Sequence, residues 1–447
     1  MSDLPSSLIC SGCGSAAGPE DPYPFRCPNA GRADDVDHVL VRILETPELS
    51  WPDDGGESNP FLRYRSLLRS YHLARARGMG DDEVRELISD LDMRVAAVDG
   101  HGFRATPFTR SAELGRRLRA ATGGVWVKDE TGNVSGSHKA RHLMGLALHL
   151  EIVSRLGPSG PGPPPPLAIA SCGNAALAAA VVARAAGWPL EVFVPEDADL
   201  AVVTRLKELD ARITTCPREE GASGDPTHRR LRRAVADGAL PFTCQGSDNG
   251  LAIEGGETLG WEIADAIRAS GERLDRVIVQ VGGGALASAV AGSFREAVAL
   301  GAMASVPRID TVQAEGAAPL RRAYERVAAR IRAGEPRDEA MRYAATHRSS
   351  FMWPWEQEPR SVARGIVDDE TYDWLAVVDA MLATGGSPLV VSEAQLQDAN
   401  RLGRESTGID VDHTGSAGLA GLLALAQDGS IATDEVVAVL FTGIRRT

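Results

Sequence analysis

The chain has 447 residues, 43% of them apolar and 24% charged, which suits an ordinary soluble globular protein of two or three domains. Lysine and arginine number 47 against 61 aspartates and glutamates, and the formal charge of −14 argues against nucleic acid or an anionic membrane as a partner. No apolar run approaches the roughly 18–20 residues of a membrane helix. Met1 to Leu8 lacks the basic and apolar stretches of a signal peptide. The six cysteines are too dispersed for a disulfide scaffold, so a reducing cytoplasm is expected.

The first 60 residues are rich in Pro, Gly and Asp and show little periodicity before His38-Val39-Leu40-Val41. Within them Cys10-Ser11-Gly12-Cys13-Gly14 is followed by Cys27 and His38. A C-x2-C turn ending in glycine resembles half of a zinc ribbon, and His38 supplies the fourth ligand of a Cys3His structural site. Three free cysteines in a loop are the alternative. Residues 60–95 read as two helices, 61–77 and 82–95, split by Gly78-Met79-Gly80.

From residue 125 onward the pattern alternates. Apolar runs at 125–127, 167–170, 190–194, 213–215, 277–281, 309–312 and 436–441 predict buried strands. Helices are expected between them, among others at 175–186, 251–269 and 286–300. The alternation implies an α/β fold with largely parallel sheets covered on both faces. Ligands in such folds bind at the carboxyl ends of strands. The proline-rich stretch 157–166 reads as a stiff, exposed linker. The aromatic cluster from Phe351 to Trp355 covers the mouth of a site, makes a subunit contact or packs in the core.

Four segments sit where strands end. The first is Ser135-Gly136-Ser137-His138-Lys139, opening an apolar helix. The positive end of a helix dipole disfavours a cation, so a lysine placed there is expected to offer a free amine. A free amine is what Schiff-base chemistry requires; a surface lysine in a first helical turn explains the segment equally. The second is Ser171-Cys172-Gly173-Asn174, where small residues open a helix N-terminus to an anion, although helix capping accounts for Ser and Asn as well. The third is Gly282-Gly283-Gly284-Ala285-Leu286. Three successive glycines cost backbone entropy, and a nest of N–H groups around a phosphate explains them better than a turn. The spacing matches neither dinucleotide nor P-loop fingerprints. The fourth is Thr442-Gly443 after the last strand.

In this order the segments resemble the fold-type II pyridoxal-phosphate enzymes, which include threonine dehydratases, threonine synthases and tryptophan synthase β chains. Glu254-Gly255-Gly256-Glu257-Thr258 and His413-Thr414-Gly415-Ser416-Ala417 are similar to further family segments, with Asp412 where a glutamate is usual. The resemblance implies that Lys139 holds the cofactor as a Schiff base and moves the Cα proton. Gly282, Gly283, Gly284, Ala285 and Leu286 would bind the phosphate. Asn174 would meet the 3′ oxygen, Ser171, Cys172, Gly173 and Asn174 the substrate carboxylate, and Thr442 the ring nitrogen. His138 replaces a phenylalanine usual in dehydratases, as a packing residue or a proton donor.

The implied architecture is two-lobed. A large cofactor domain comprises 61–149 and 251–447, a small domain 150–250, and a cysteine-bearing extension 1–60; a homodimer is expected. A hydroxyl at the ring nitrogen makes the ring a weaker electron sink, which suits loss of a β substituent. The expected activity is therefore α,β-elimination on a small amino acid, of threonine or serine dehydratase type. The alternatives are a threonine-synthase-like replacement enzyme and a non-catalytic cofactor-binding protein.

Overall fold

The computed structural model describes residues 4–446 apart from 19–20, 32, 54–55, 119–122, 157–163 and 219–223. In chain order the strands are β1 (Ser6–Cys10), β2 (Leu40–Leu44), β3 (Phe108–Arg110), β4 (Gly124–Asp129), β5 (Leu167–Ala170), β6 (Leu190–Val194), β7 (Arg212–Thr215), β8 (Leu240–Pro241), β9 (Arg276–Gln280), β10 (Arg308–Ala314), β11 (Pro388–Val391) and β12 (Val436–Phe441). They form a six-stranded sheet in the order β11-β10-β9-β12-β4-β3, a four-stranded sheet β7-β6-β5-β8 and a pair β1-β2. In the two larger sheets every pairing is parallel except β3 with β4. The expected α/β class is therefore the observed one.

The central strands show why. β9 and β12 are buried along their whole length, the pattern of a parallel strand covered on both faces. Their side chains alternate between two cores. Val277, Val279, Ala438 and Leu440 pack with Leu259 and Val290 of the helices Ala252–Ser270 and Ala285–Ala299. Ile278, Val437, Val439 and Phe441 face the other way, onto Leu396, Leu419 and Leu422 of the helices Glu393–Thr407 and Ala417–Gln427. A period of two thus sorts one strand onto two helix layers. Among the described residues no helix is long and apolar enough to cross a membrane.

One expectation needs correction, and two open readings are sharpened. The helix expected at 61–77 is broken into Pro60–Arg63, a turn at Arg65–Leu67, and Arg69–Ala76. Leu68 is extended, and the Arg69 N–H turns to the Glu254 carboxylate at 2.7 Å instead of a preceding carbonyl. The N-terminal extension is more ordered than its composition implies, because β1 and β2 pair antiparallel with Cys10 opposite Leu40. The aromatic cluster divides between core and surface. Phe351 and Met352 are buried, Phe351 stacking on Trp374 at 6.1 Å, while the Arg322 guanidinium lies 3.6 Å from the Trp353 ring centroid. The proposed linker falls mostly on 157–163, outside the described residues.

Candidate active site

β4, β12 and β9 are neighbours and parallel, so the segments leaving their carboxyl ends meet. β4 leads through a turn to Lys139, which opens the helix Lys139–Leu156. β12 ends at Thr442, and β9 runs into the glycine loop. The Lys139 turn is fastened to the β12 end: Ser137 bridges Gly443 and the His138 N–H donates to the Thr442 carbonyl at 3.2 Å. Ser135 adopts a left-handed φ of 54°, a strained conformation for a non-glycine residue that recurs at functional turns. The Lys139 charge bears on Asp368, Asp373 and Cys244.

Thr442 is buried and its hydroxyl has a fixed sense. The Gln280 amide nitrogen faces the carbonyls of Gly415 and Leu440 at 2.8 and 3.1 Å, so it must be the nitrogen. It also donates to Thr442 Oγ1 at 2.7 Å. The Thr442 hydroxyl therefore accepts from Gln280, and its own proton is free to be donated elsewhere.

His138 is buried, and Nδ1 lies 3.2 Å from the Thr442 carbonyl while Nε2 has no partner. Burial, with Lys139 nearby, holds its pKa well below the usual imidazole value. A neutral ring held at Nδ1 fits the packing alternative better than the proton donor.

Beneath the turn lies a charge network that sequence reasoning missed. Lys128, Glu130 and Arg141 are fully buried, and Glu262 nearly so. Arg141 donates to Glu130 at 2.8 Å and to Glu262 at 2.7 Å, and Lys128 pairs with Glu262. Burial opposes the Glu262 charge, but Arg141 and Lys128 outweigh it and hold the carboxyl low. Burial also pushes the Lys128 ammonium down against the pull of Glu262. Arg141 lies two residues beyond Lys139, so the network fixes the first turn of that helix.

The Ser171–Asn174 loop follows β5. Neither Ser171 nor Asn174 caps the helix Asn174–Ala186: the cap residue is Gly173, without a side-chain bond, and Asn174 is the first helical residue. Nothing lies within 4 Å of where a Gly173 Cβ would be, and Cys172 is exposed, so the loop faces open space. Asn174 reaches across to the β12 end. Its Oδ1 accepts from Arg446 at 3.1 Å, and its amide bonds Asp412. Burial raises the Asp412 carboxyl to about 6, opposed by the Gly415 N–H and Arg446.

The glycine loop leads into the helix Ala285–Ala299, which has no side-chain cap, so its first N–H groups are available to an anion. Gly284 has a φ of 100°, which favours glycine. A second reason for the glycines was not legible: a strap, residues 363–373, crosses the loop. A Cβ on Gly282 would collide with the Asp368 carboxylate and the Gly365 carbonyl, and one on Gly284 would meet Thr371 and Asp373. The Asp373 N–H donates to the Gly283 carbonyl at 2.9 Å. Burial raises Asp368 to about 6 and Asp373 to about 7, even with Lys139 nearby. Beside them Tyr372 packs on His228, which pairs with Asp248 at 2.6 Å.

These residues fit pyridoxal phosphate. The uncapped helix start and the glycine loop suit its phosphate. Thr442 presents a free hydroxyl proton. The amine is better constrained than the motif alone implied, because the chain has only three lysines: Lys128, Lys139 and Lys207. Lys128 is buried against Glu262, and Lys207 is exposed on the helix Leu200–Glu208. That count was open to inspection in the sequence. Away from the cleft, Cys10, Cys13, Cys27 and His38 also converge, with their ligand atoms within 4.8 Å of one another.

Comparison with known proteins points to the same cofactor. Residues 101–443 match the family model described as pyridoxal-phosphate dependent enzyme. The chain is 27% identical to a threonine synthase of Methanosarcina acetivorans over 71% of this chain and 69% of that protein. It is 25% identical to that of Methanocaldococcus jannaschii over 76% and 74%. Among solved structures, the T.th. threonine deaminase superposes with a TM-score of 0.58 at 22% identity, covering 81% of this chain and 98% of that one. Diaminopropionate ammonia lyase from Escherichia coli gives 0.58 at 16% identity, covering 87% and 91%. Strand order, cofactor-suited cleft and family match together identify the chain as a member of the pyridoxal-phosphate-dependent enzymes of fold type II.

Proposed function

We propose that the protein is a lyase that removes a β substituent from a small amino acid, releasing a keto acid and ammonia. Pyridoxal phosphate, when bound, supplies the electron sink that makes the Cα proton of an attached amino acid acidic. In this reading Lys139 holds the cofactor and moves the Cα proton. Gly282 to Leu286 hold the phosphate through main-chain N–H groups. Ser171 to Asn174 take the substrate carboxylate, for which Asn174 must share itself with Arg446 and Asp412. The sheets of β3–β4 with β9–β12 and of β5–β8 then belong to the large and small domains, 61–149 with 251–447, and 150–250. A cytoplasmic homodimer completes the proposal.

The observation that carries it is the Gln280–Thr442 hydrogen bond. It leaves the Thr442 hydroxyl as a neutral donor toward a ring nitrogen. A neutral donor cannot stabilise a protonated ring as a carboxylate does, which favours expulsion at Cβ over transamination or racemisation.

The threonine synthases among the relatives favour a replacement reaction on a phosphorylated substrate. The test is to incubate the holoenzyme with serine, threonine, 2,3-diaminopropionate and O-phosphohomoserine, assaying keto acid, ammonia and phosphate. Keto acid with ammonia from one of the first three is expected. Phosphate release from the last, without keto acid from the others, would overturn elimination in favour of replacement.

A further inference from the structure

We propose that Cys10, Cys13, Cys27 and His38 hold one zinc ion, and that this site positions the strap 363–373 over the glycine loop. The metal half stands on its own geometry; the positioning half rests on the reading of the cleft given above.

The pairing of β1 with β2 sets Cys10 opposite Leu40, which brings His38 beside it. Cys10 Sγ and His38 Nδ1 are 3.6 Å apart, as are the sulfurs of Cys13 and Cys27. Zinc bonds of about 2.3 Å to sulfur and about 2.0 Å to nitrogen place tetrahedral ligand atoms roughly 3.4–3.8 Å apart. The surroundings suit thiolates. The Cys13 N–H points at Cys10 Sγ and the Asn29 N–H at Cys27 Sγ, both at 3.4 Å, and the Asn29 side chain points at Cys13 Sγ at 3.5 Å. Gly14, with a φ of 72°, closes the turn. On the far side of the imidazole, His38 Nε2 is 3.1 Å from Asp34 Oδ1. A carboxylate there fixes the tautomer that leaves Nδ1 free for a metal. Three sulfurs with one nitrogen and no open position describe a structural site that selects zinc.

The same loop reaches the strap. A Cβ on Gly12 would collide with the Asp37 carbonyl, so the metal turn presses directly on residues 36–37. Asp37 is buried next to His38; its N–H donates to the Ala345 carbonyl at 2.8 Å and its carboxylate accepts from Arg348 at 3.0 Å. Asp35 accepts from the Arg348 and Ser349 N–H groups at 2.8 Å each. Arg348 then pairs with Glu370 of the strap. Three residues on, Asp373 is bonded to Gly283. Cys10, Cys27 and Leu40 form a small apolar cluster beneath the site.

The experiment uses the full-length holoenzyme. Elemental analysis should give one zinc per chain, and cobalt exchanged into the site should show the bands of a tetrahedral thiolate complex. Asp34→Asn should release zinc to a chelator about tenfold faster. Hydrogen exchange followed by mass spectrometry reads the positioning. Removal of zinc should speed exchange in peptides covering 363–373, and Asp37→Asn, which keeps all four ligands, should do the same with zinc retained. Absence of metal, or a Cys13–Cys27 disulfide in the native protein, would overturn the site. Zinc present, with exchange in the strap unchanged in both the stripped protein and Asp37→Asn, would overturn the positioning role. Neither result bears on which amino acid the cleft consumes.

Discussion

The helix Ala252–Ser270 carries two buried charge networks that are built on opposite principles. Toward its C-terminal half, Glu262 joins Glu130, Lys128 and Arg141, two carboxylates against two cations. One and two turns earlier, Glu257 and Glu254 join Glu296 around Arg42, three carboxylates on one guanidinium, with Arg69 adjacent to Glu254. The first network can keep every charge. The second cannot, and burial raises Glu254 and lifts Glu296 to about 8, against the pull of Arg42. The balanced set lies under the Lys139 turn, where a fixed geometry is needed. The acidic set ties β2 of the N-terminal extension to the helices of the large sheet, where a proton completes the balance.

The largest effect expected from this difference follows from breaking the balanced set. Arg141→Met would leave Glu130 and Glu262 facing each other in the interior, with only Lys128 to share. Loss of one partner from such a buried network costs about 3–5 kcal/mol. Chemical denaturation should show that loss at both pH 5 and pH 8. A variant as stable as the parent would mean that the network is dispensable.

A smaller, pH-dependent effect is expected at the acidic set. Glu296 has an ordinary pKa of 4.5 and is raised to about 8 in the folded protein. Between these values the folded state binds a proton that the unfolded state does not, so its contribution to stability is full below 4.5 and is lost as the pH rises to about 8. One proton gives a slope of up to about 1.4 kcal/mol per pH unit. Glu296→Gln should flatten that slope and be the more stable protein at pH 8. An unaltered pH profile would show that Glu296 keeps its charge and that the two networks behave alike.

Much of the site was legible because its residues are tied to local pattern. Gly282 to Gly284 follow a strand that is apolar throughout, and Lys139 opens an apolar helix, so periodicity placed both at strand ends. The pairings that give these residues their surroundings were not legible. Asp368 and Asp373 belong to an irregular strap with no repeating apolar positions, and only the fold lays them on the glycine loop. Arg141 and Glu262 stand 121 residues apart in the chain, and only tertiary packing buries them together. β1 and β2 escaped notice because each is five residues long and paired across the loop that carries the cysteines. Capping, a local rule, misled at Ser171–Asn174, where Gly173 takes the cap position and Asn174 is drawn to Arg446 instead.

Lys139 is central to the proposed reaction as the residue that carries the cofactor. Borohydride reduction of the holoenzyme fixes the cofactor to whichever lysine holds it, and mass spectrometry of the digested protein can distinguish the three lysines of the chain. The pyridoxyl label is predicted on the peptide containing Lys139 and on neither of the others. A label on Lys128 or Lys207, or cofactor that stays bound yet cannot be fixed to any lysine, would contradict it.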